Sequence, residues 1–342
     1  MKILVVGVGS IGKRHLGLLL DMGFRDIVVC DAQKTRLDEV QNIYPGLREF
    51  QDYTTAFKED LDVVFICTPP HLHTNILAKA VDNGCHVFCE KPLAMNLEGL
   101  NEIERRAREK NLVVMIGYVY RFCKPIKKIK EIIDSKILGK IYSARTIISL
   151  YLPDWHPWED YREFFLSHRD LGGGALLEES HATDYIKWMM GDVKAVGCIN
   201  KKLSNLELDA EDMTIINLEF QNGSLGAIQI DLLGRVLRKE AEFIGEKGTV
   251  LWDAERGLVR LFTAARGEWE EFELAFTPDA YVDQLNHFFE CIRDHKEPIT
   301  ALHDAIETLR ICVAAFKSDA ERRMVELKEI SEDTKVIRPD YQ

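Results

Sequence analysis

The chain has 342 residues, enough for two domains with separate cores. It is 46% apolar and 29% charged, the balance of a soluble globular protein, and its net charge of −12 (44 basic residues against 56 acidic) argues against wrapping a nucleic acid. No apolar run approaches the ~18 residues of a membrane span, and the N-terminal apolar stretch lacks a small-residue cleavage site, so neither a membrane nor export is expected. The eight cysteines are scattered without a C-x-x-C pair and read as reduced core thiols, which fits a cytoplasmic setting.

Residues 2–6 are an apolar strand running into Gly7-Val8-Gly9-Ser10-Ile11-Gly12, and residues 13–22 are amphipathic. Strand, glycine turn and helix form the context in which G-x-G-x-x-G marks a dinucleotide site. Gly7 permits the tight turn, Gly9 lets a pyrophosphate approach the backbone, and Gly12 lets helix and strand pack closely. Ser10 and Ile11 open the helix, whose free N–H groups and dipole attract phosphate. A second strand, 27–30, ends at Asp31, 19 residues past Gly12, where an acid holds a ribose diol. A carboxylate there repels a 2′-phosphate and favours NAD over NADP, although Lys34 and Arg36 stand nearby.

The same rhythm continues to about residue 120. A short helix is expected at 37–43, a strand at 62–67, a helix at 73–83, a strand at 86–89, a helix at 97–110 and a strand at 112–117. Continuous apolar strands alternating with helices indicate a doubly wound parallel sheet, whose ligands sit at the carboxyl ends of its strands. Asp31, Thr68-Pro69-Pro70, Lys91 and 118–121 all fall at such ends. Beyond residue 122 the pattern changes. A helix (126–135) and a strand (141–150) precede an aromatic, aperiodic stretch, and Gly172-Gly173-Gly174 opens a helix at 176–190. Strands follow at 193–200, 214–220, 224–232, 239–244, 249–252, 258–262 and 270–273, with Asn222-Gly223 as a hairpin turn. Helices at 281–294 and 301–318 close the chain. The fold class is therefore α/β: a parallel-sheet domain over 1–121, then an α+β domain over 122–342 on a large, mostly antiparallel sheet.

Gly7–Gly12, Asp31, Cys67-Thr68-Pro69-Pro70-His71-Leu72-His73, Glu90-Lys91-Pro92, Gly117-Tyr118-Val119-Tyr120-Arg121-Phe122 and Gly172-Gly173-Gly174-Ala175-Leu176-Leu177 with His181 and Asp184 occur in one order along nearly the whole chain. In this it resembles the glucose–fructose oxidoreductase / inositol dehydrogenase / MocA (Gfo/Idh/MocA) family. The resemblance implies a Rossmann domain and NAD(P)-dependent oxidation or reduction of a sugar, sugar derivative or cyclitol. Lys91 and His181 would handle the proton, and Tyr120 and Arg121 would meet substrate. It also implies a homodimer or homotetramer built through the C-terminal sheet. Many members carry an aspartate four residues before the histidine; here that position is Leu177. Glu178, three residues before His181, is the candidate to replace it, and Asp184 is an alternative orienter of the imidazole.

The chemistry agrees with these roles. Hydride transfer from an alcohol carbon requires the hydroxyl proton to leave. A free lysine, with a pKa of ~10.4, is too basic to take it, but burial beside a positive nicotinamide would favour the neutral amine. Histidine starts near ~6.5 and needs no such adjustment. Either residue can be the base while the other polarises the oxygen. Glu90 is expected to contact cofactor or position Lys91, and His71 and His73 to line the nicotinamide ribose. No third ligand is spaced to make that pair a metal site. Trp155 and His156 suit the stacking and hydrogen bonding of a sugar, and Arg235 and Arg238 could pair with a substrate carboxylate or phosphate. Two rivals are a non-catalytic NAD(P)-binding sensor and a reductase of a non-sugar substrate. The proton-handling pair argues against the first, and the G-G-G…H segment against the second.

Overall fold

The computed structural model describes residues 1–155, 157 and 159–339. The chain divides into two units: Met1–Gly117 with Val282–Ile306, and Tyr118–Tyr281 with Glu307–Gln342. The boundary expected near residue 121 leaves 282–306 with the second domain, whereas these residues pack within the first unit.

In the first unit the chain runs β1 (Ile3–Val6), α1 (Ser10–Asp21), β2 (Ile27–Cys30), α2 (Lys34–Ile43), β3 (Arg48–Phe50), α3 (Tyr53–Ala56), β4 (Val63–Ile66), α4 (His73–Asp82), β5 (His86–Cys89), α5 (Leu100–Glu109) and β6 (Val114–Ile116). The strands form one parallel sheet in the order β3-β2-β1-β4-β5-β6. Its central strands are buried along their whole length, as apolar runs covered by helices on both faces must be. The register decides where the site lies. Val6 pairs with both Cys30 and Ile66, and Cys89 pairs with Ile66 and Ile116. Gly7, Asp31, Cys67, Glu90 and Gly117, each one residue further on, therefore emerge level along one rim.

The second unit contains α6 (Lys124–Asp134), β7 (Ile141–Tyr151), α7 (Leu152–Trp155), α8 (Ala175–Glu178), α9 (Ser180–Met190), β8 (Val193–Lys201), β9 (Met213–Phe220), β10 (Leu225–Asp231), β11 (Leu233–Gly245), β12 (Gly248–Asp253), β13 (Leu258–Thr263) and β14 (Trp269–Glu273). Helices α10 (Asp279–Asp294) and α11 (Leu302–Glu321) each cross a boundary between the units, and β15 (Val325–Glu326) ends the sheet. The order is β14-β13-β12-β11-β7-β10-β9-β8-β15, antiparallel except for the parallel pair β7–β10. Alternation along β7 turns Ala144, Thr146 and Ile148 towards α9, which packs on that strand, and Arg145 away.

The helix expected over 176–190 is two helices. Glu179 leaves helical geometry (φ −100°, ψ 32°) and separates α8 from α9. All eight cysteines are free and buried. Among the described residues no helix is long and apolar enough to cross a membrane.

Candidate functional site

At the rim of the first unit, Gly7 has φ +89°, and a Cβ there would lie 2.6 Å from the Cys67 carbonyl oxygen. A Cβ on Gly12 would lie 1.9 Å from the Gly7 carbonyl oxygen, so turn and helix meet backbone to backbone. Around Gly9 there is room: a Cβ would meet nothing nearer than the Arg36 guanidinium at 3.8 Å. No side chain caps the start of α1, and Ser10 is exposed, so the first-turn N–H groups face outward from a twelve-residue helix. These are the features a pyrophosphate requires. Asp31 is buried, and its carboxylate accepts the Val8 N–H and the Gln33 N–H, each at 2.9 Å. With two hydrogen bonds made, it keeps lone pairs for a ribose diol. Arg36 Nη1 stands 3.7 Å from it, while Lys34 is occupied by Asp38 and Glu49.

Thr68 and Pro69 leave β4 half-buried at the same rim. His73 is fully enclosed, with Nδ1 2.9 Å from the Pro92 carbonyl oxygen and Nε2 2.7 Å from that of Thr68. It was expected to line a ribose; instead its ring ties the Thr68 and Pro92 turns together from behind. His71, two residues earlier, is exposed. Glu90 is the hub of the rim. Its Oε1 lies 2.6 Å from Nε2 of the buried His15 on α1, and its Oε2 accepts the Lys91 N–H at 3.2 Å. Lys91 follows, half-exposed, where β5 ends. A side chain on Gly117 would collide with the Glu90 carboxylate, at 2.8 Å. Burial, reinforced by the Glu90 charge, pushes the Cys67 and Cys89 thiols well up, so neither is a nucleophile. Sequence reasoning missed His15, although its place one turn into α1 follows from the glycine motif.

In the second unit His181 is the second residue of α9 and is buried. The Tyr120 ring lies flat against its imidazole (centroids 4.4 Å apart, 7° between planes), and Tyr118 meets it edge-on at 5.8 Å. Burial, then the Glu179 charge, drives the Tyr120 hydroxyl well above its ordinary range, so it is a neutral phenol. That hydroxyl accepts a hydrogen bond from Lys239 Nζ. Leu177 is buried. Glu178 and Glu179 are buried near Tyr120, but the break at Glu179 removes the helical i,i+3 relation expected between Glu178 and His181. Trp155 lies with its ring 5.1 Å from Lys239 Nζ. His156, named with it, lies outside the described residues.

Arg121 differs from expectation because of its pairing with Asp184. Arg121 is 1% exposed, and its Nε and Nη2 fork onto the two Asp184 oxygens at 2.8 and 2.7 Å. Thr308 adds a bond to Asp184 at 3.3 Å, and the guanidinium lies over Trp188 at 5.2 Å. Arg121 is therefore enclosed rather than offered to a substrate, and its fork onto Asp184 ties the 118–122 segment to α9. The G-G-G turn also has a structural cause. Gly174 has φ +103°, and a Cβ there would strike the buried Glu211–Arg338 pair at 2.4 and 2.5 Å. Among the described residues no three His, Cys, Asp or Glu side chains gather as a metal site.

Residues 1–118 match the model of the "Oxidoreductase family, NAD-binding Rossmann fold", and residues 130–327 match that family's "C-terminal alpha/beta domain". The chain belongs to the Gfo/Idh/MocA oxidoreductase family. Its glycine turn, Asp31 and uncapped α1 all lie within the stretch matched by the NAD-binding Rossmann model. Among curated family relatives, myo-inositol 2-dehydrogenase of Thermotoga maritima is 26% identical over 96% of this chain and 99% of its own length. The scyllo-inositol 2-dehydrogenase (NAD(+)) of Bacillus subtilis is 28% identical over 92% of each. The solved complex of levoglucosan dehydrogenase with NADH and levoglucosan has the same fold (TM-score 0.83, 21% identity, 96% of this chain and 99% of that one).

Proposed function

We propose that this family member is an NAD-dependent dehydrogenase acting on a CH–OH carbon of a sugar, sugar derivative or cyclitol, with Lys91 and His181 handling the hydroxyl proton. The observation that carries the reading is the Glu90 hub. One carboxylate holds the backbone of Lys91 and, through His15, the helix that starts at the glycine turn. The lysine thereby keeps a fixed place relative to the NAD-binding turn of its own unit. The relatives named for inositols and levoglucosan support a polyhydroxylated substrate.

When bound, the nicotinamide supplies the hydride acceptor or donor. Gly7, Gly9, Ser10, Ile11 and Gly12 would receive its pyrophosphate, Asp31 its ribose diol, and Thr68, Pro69 and the backbone beside His73 would border it. As the C–H hydride leaves the substrate, the O–H proton passes to Lys91 Nζ or to the His181 imidazole, and the other group hydrogen-bonds the oxygen. Tyr120 fixes the plane of the imidazole, and Glu178 can accept substrate hydroxyls. The exposed cross-strand pair Ile199–Ile215 on the outer face of the sheet supports a homodimer or homotetramer through that sheet. Eight buried free thiols suit a reducing cytoplasm.

A panel of cyclitols and sugars incubated with NAD, followed by the absorbance of the reduced cofactor, tests the reading. At least one polyol is expected to turn over. Lys91→Met and His181→Asn should each lower kcat by about 10²–10⁴-fold while NAD affinity stays within a few-fold. Tight NAD binding without turnover of any polyol would overturn the assignment and leave a non-catalytic binding role.

A further inference from the structure

On the helix-facing side of the nine-stranded sheet, β11 presents Phe243, Ala241 and Lys239 in succession, paired with Ala144, Thr146 and Ile148 of β7. The other five are buried, and four of them are apolar. An ammonium in such a row is costly unless something answers it. The opposite face shows how this sheet ordinarily satisfies its charges: Arg238 forks onto Glu240, and Arg145 pairs with Glu242 at 2.6 Å. Lys239 has no such arrangement. Among the described residues no carboxylate lies within ion-pair distance of it. Its partners are the Tyr120 hydroxyl and the rings of Tyr120 and Trp155, each centred 5.1 Å from Nζ. The phenol is neutral and so cancels no charge. It takes one of the three ammonium protons and leaves two. The same phenol ring lies flat on His181. Cation and imidazole are thus both held by the one tyrosine, the first at its hydroxyl and the second against its ring face.

Resting on the dehydrogenase reading above, we propose that Lys239 and Trp155 form a carboxylate subsite and that the substrate is a sugar acid rather than a neutral polyol. Trp155 supplies a flat face for the pyranose, and Lys239 the counter-charge. The arginines that the sequence nominates for an acid are otherwise engaged: Arg238 is held by Glu240 on the opposite face, and Arg235 stacks on Tyr151 at 3.5 Å. A single ammonium suits a monoanionic carboxylate. A phosphate dianion calls for a fork of donors, which one ammonium does not supply.

The test is calorimetric binding to the full-length protein loaded with NADH. The probes are D-glucuronate, D-galacturonate and D-gluconate, their neutral counterparts D-glucose, D-galactose and D-glucitol, and a hexose phosphate. At least one acid should bind about tenfold or more tightly than its neutral counterpart, as expected for a charge-assisted hydrogen bond. In Lys239→Met the acid-to-neutral ratio should fall towards one, and in Lys239→Arg it should largely survive. Thermal melts establish that both variants fold. The subsite is overturned if no acid is preferred, if Lys239→Met keeps the preference, or if the phosphate binds best. Lys239-dependent acid binding without hydride transfer would sink the dehydrogenase reading and keep the subsite. Turnover of neutral polyols with no acid preference would do the reverse.

Discussion

Asp31 accepts the N–H groups of Val8 and Gln33, and in the proposed NAD site the same carboxylate would repel a 2′-phosphate from the ribose position. Arg36 is close enough (3.7 Å) to be held by it. Asp31→Ser should therefore weaken NAD binding by about tenfold or more, since charge-assisted hydrogen bonds are lost. It should also raise the NADP:NAD preference, because Arg36 then faces the ribose without a competing anion. KM values for both cofactors check this; an unchanged ratio would remove Asp31 from cofactor selection. The rim positions of Asp31 and Lys91 were legible in the sequence because they lie in local order, a strand end followed by a charged residue. Arg121 and His73 were legible as polar residues in the right segments, but their burial was not. Burial is set by Asp184, 63 residues away, and by the Pro92 carbonyl, 19 away. Lys239 escaped notice because it stands beside two other charged residues, and only the strand's alternation, counted back from Phe243, separates it from them.

At the scale of the element, the strand–turn–helix at the N-terminus separates what the fold needs from what the cofactor needs. Gly9→Ala has open space and a negative φ of −67°, so stability should change by less than about 0.5 kcal/mol, whereas NAD affinity should fall at least tenfold as a methyl group enters the phosphate's path. Gly12→Ala drives a Cβ into the Gly7 carbonyl and should cost about 2 kcal/mol or more in stability as well as binding. Paired thermal melts and cofactor titrations distinguish the two. A neighbouring element carries a pH dependence. His86 on β5 accepts the Val113 N–H at Nδ1 (2.9 Å), which requires that nitrogen unprotonated. Burial, and then the charge of His295, lowers its pKa below the ordinary value. The unfolded chain takes the proton near pH ~6.5 and the folded chain only at lower pH, so this contribution is complete above ~6.5 and is lost as pH falls, by at most about 1.4 kcal/mol per pH unit. Urea midpoints measured from about pH 7.5 to about pH 5.5 should fall for the wild type and fall less for His86→Gln, whose amide oxygen can accept the same N–H. Parallel slopes would contradict the assignment. The central parallel strands were legible because each is an uninterrupted apolar run. The edge strand β3 was not, since Arg48-Glu49-Phe50 carries no such signal, and neither was the break at Glu179, since Leu177-Glu178-Glu179-Ser180 holds no glycine or proline to mark it.

At the scale of the whole molecule, the first unit is not one stretch of chain. Residues 282–306 complete it. Phe289 stacks on Phe24 (4.5 Å), Phe288 lies edge-on to Phe65 and Phe88 (5.8 and 5.7 Å), and β6 gains a partner through the Ile116 N–H to Thr300 carbonyl bond (2.9 Å). Leu285 and Ile292 are buried on the same helix. The three buried ones, Leu285, Phe288 and Ile292, at roughly 1.5–3 kcal/mol each, together reach the 5–15 kcal/mol margin of a typical domain. The parallel sheet is therefore cut off from its own stabilisation if the chain ends where sequence periodicity changes. A polypeptide of residues 1–117 should expose Phe65 and Phe88 and show no cooperative thermal transition. The same segment joined to residues 282–306 by a flexible Gly/Ser linker should regain a cooperative melt and bind NAD. Circular-dichroism melts with and without NAD compare the two. A cooperative, NAD-stabilised transition in residues 1–117 alone would show that the returning segment is dispensable and that the NAD-binding unit ends at Gly117.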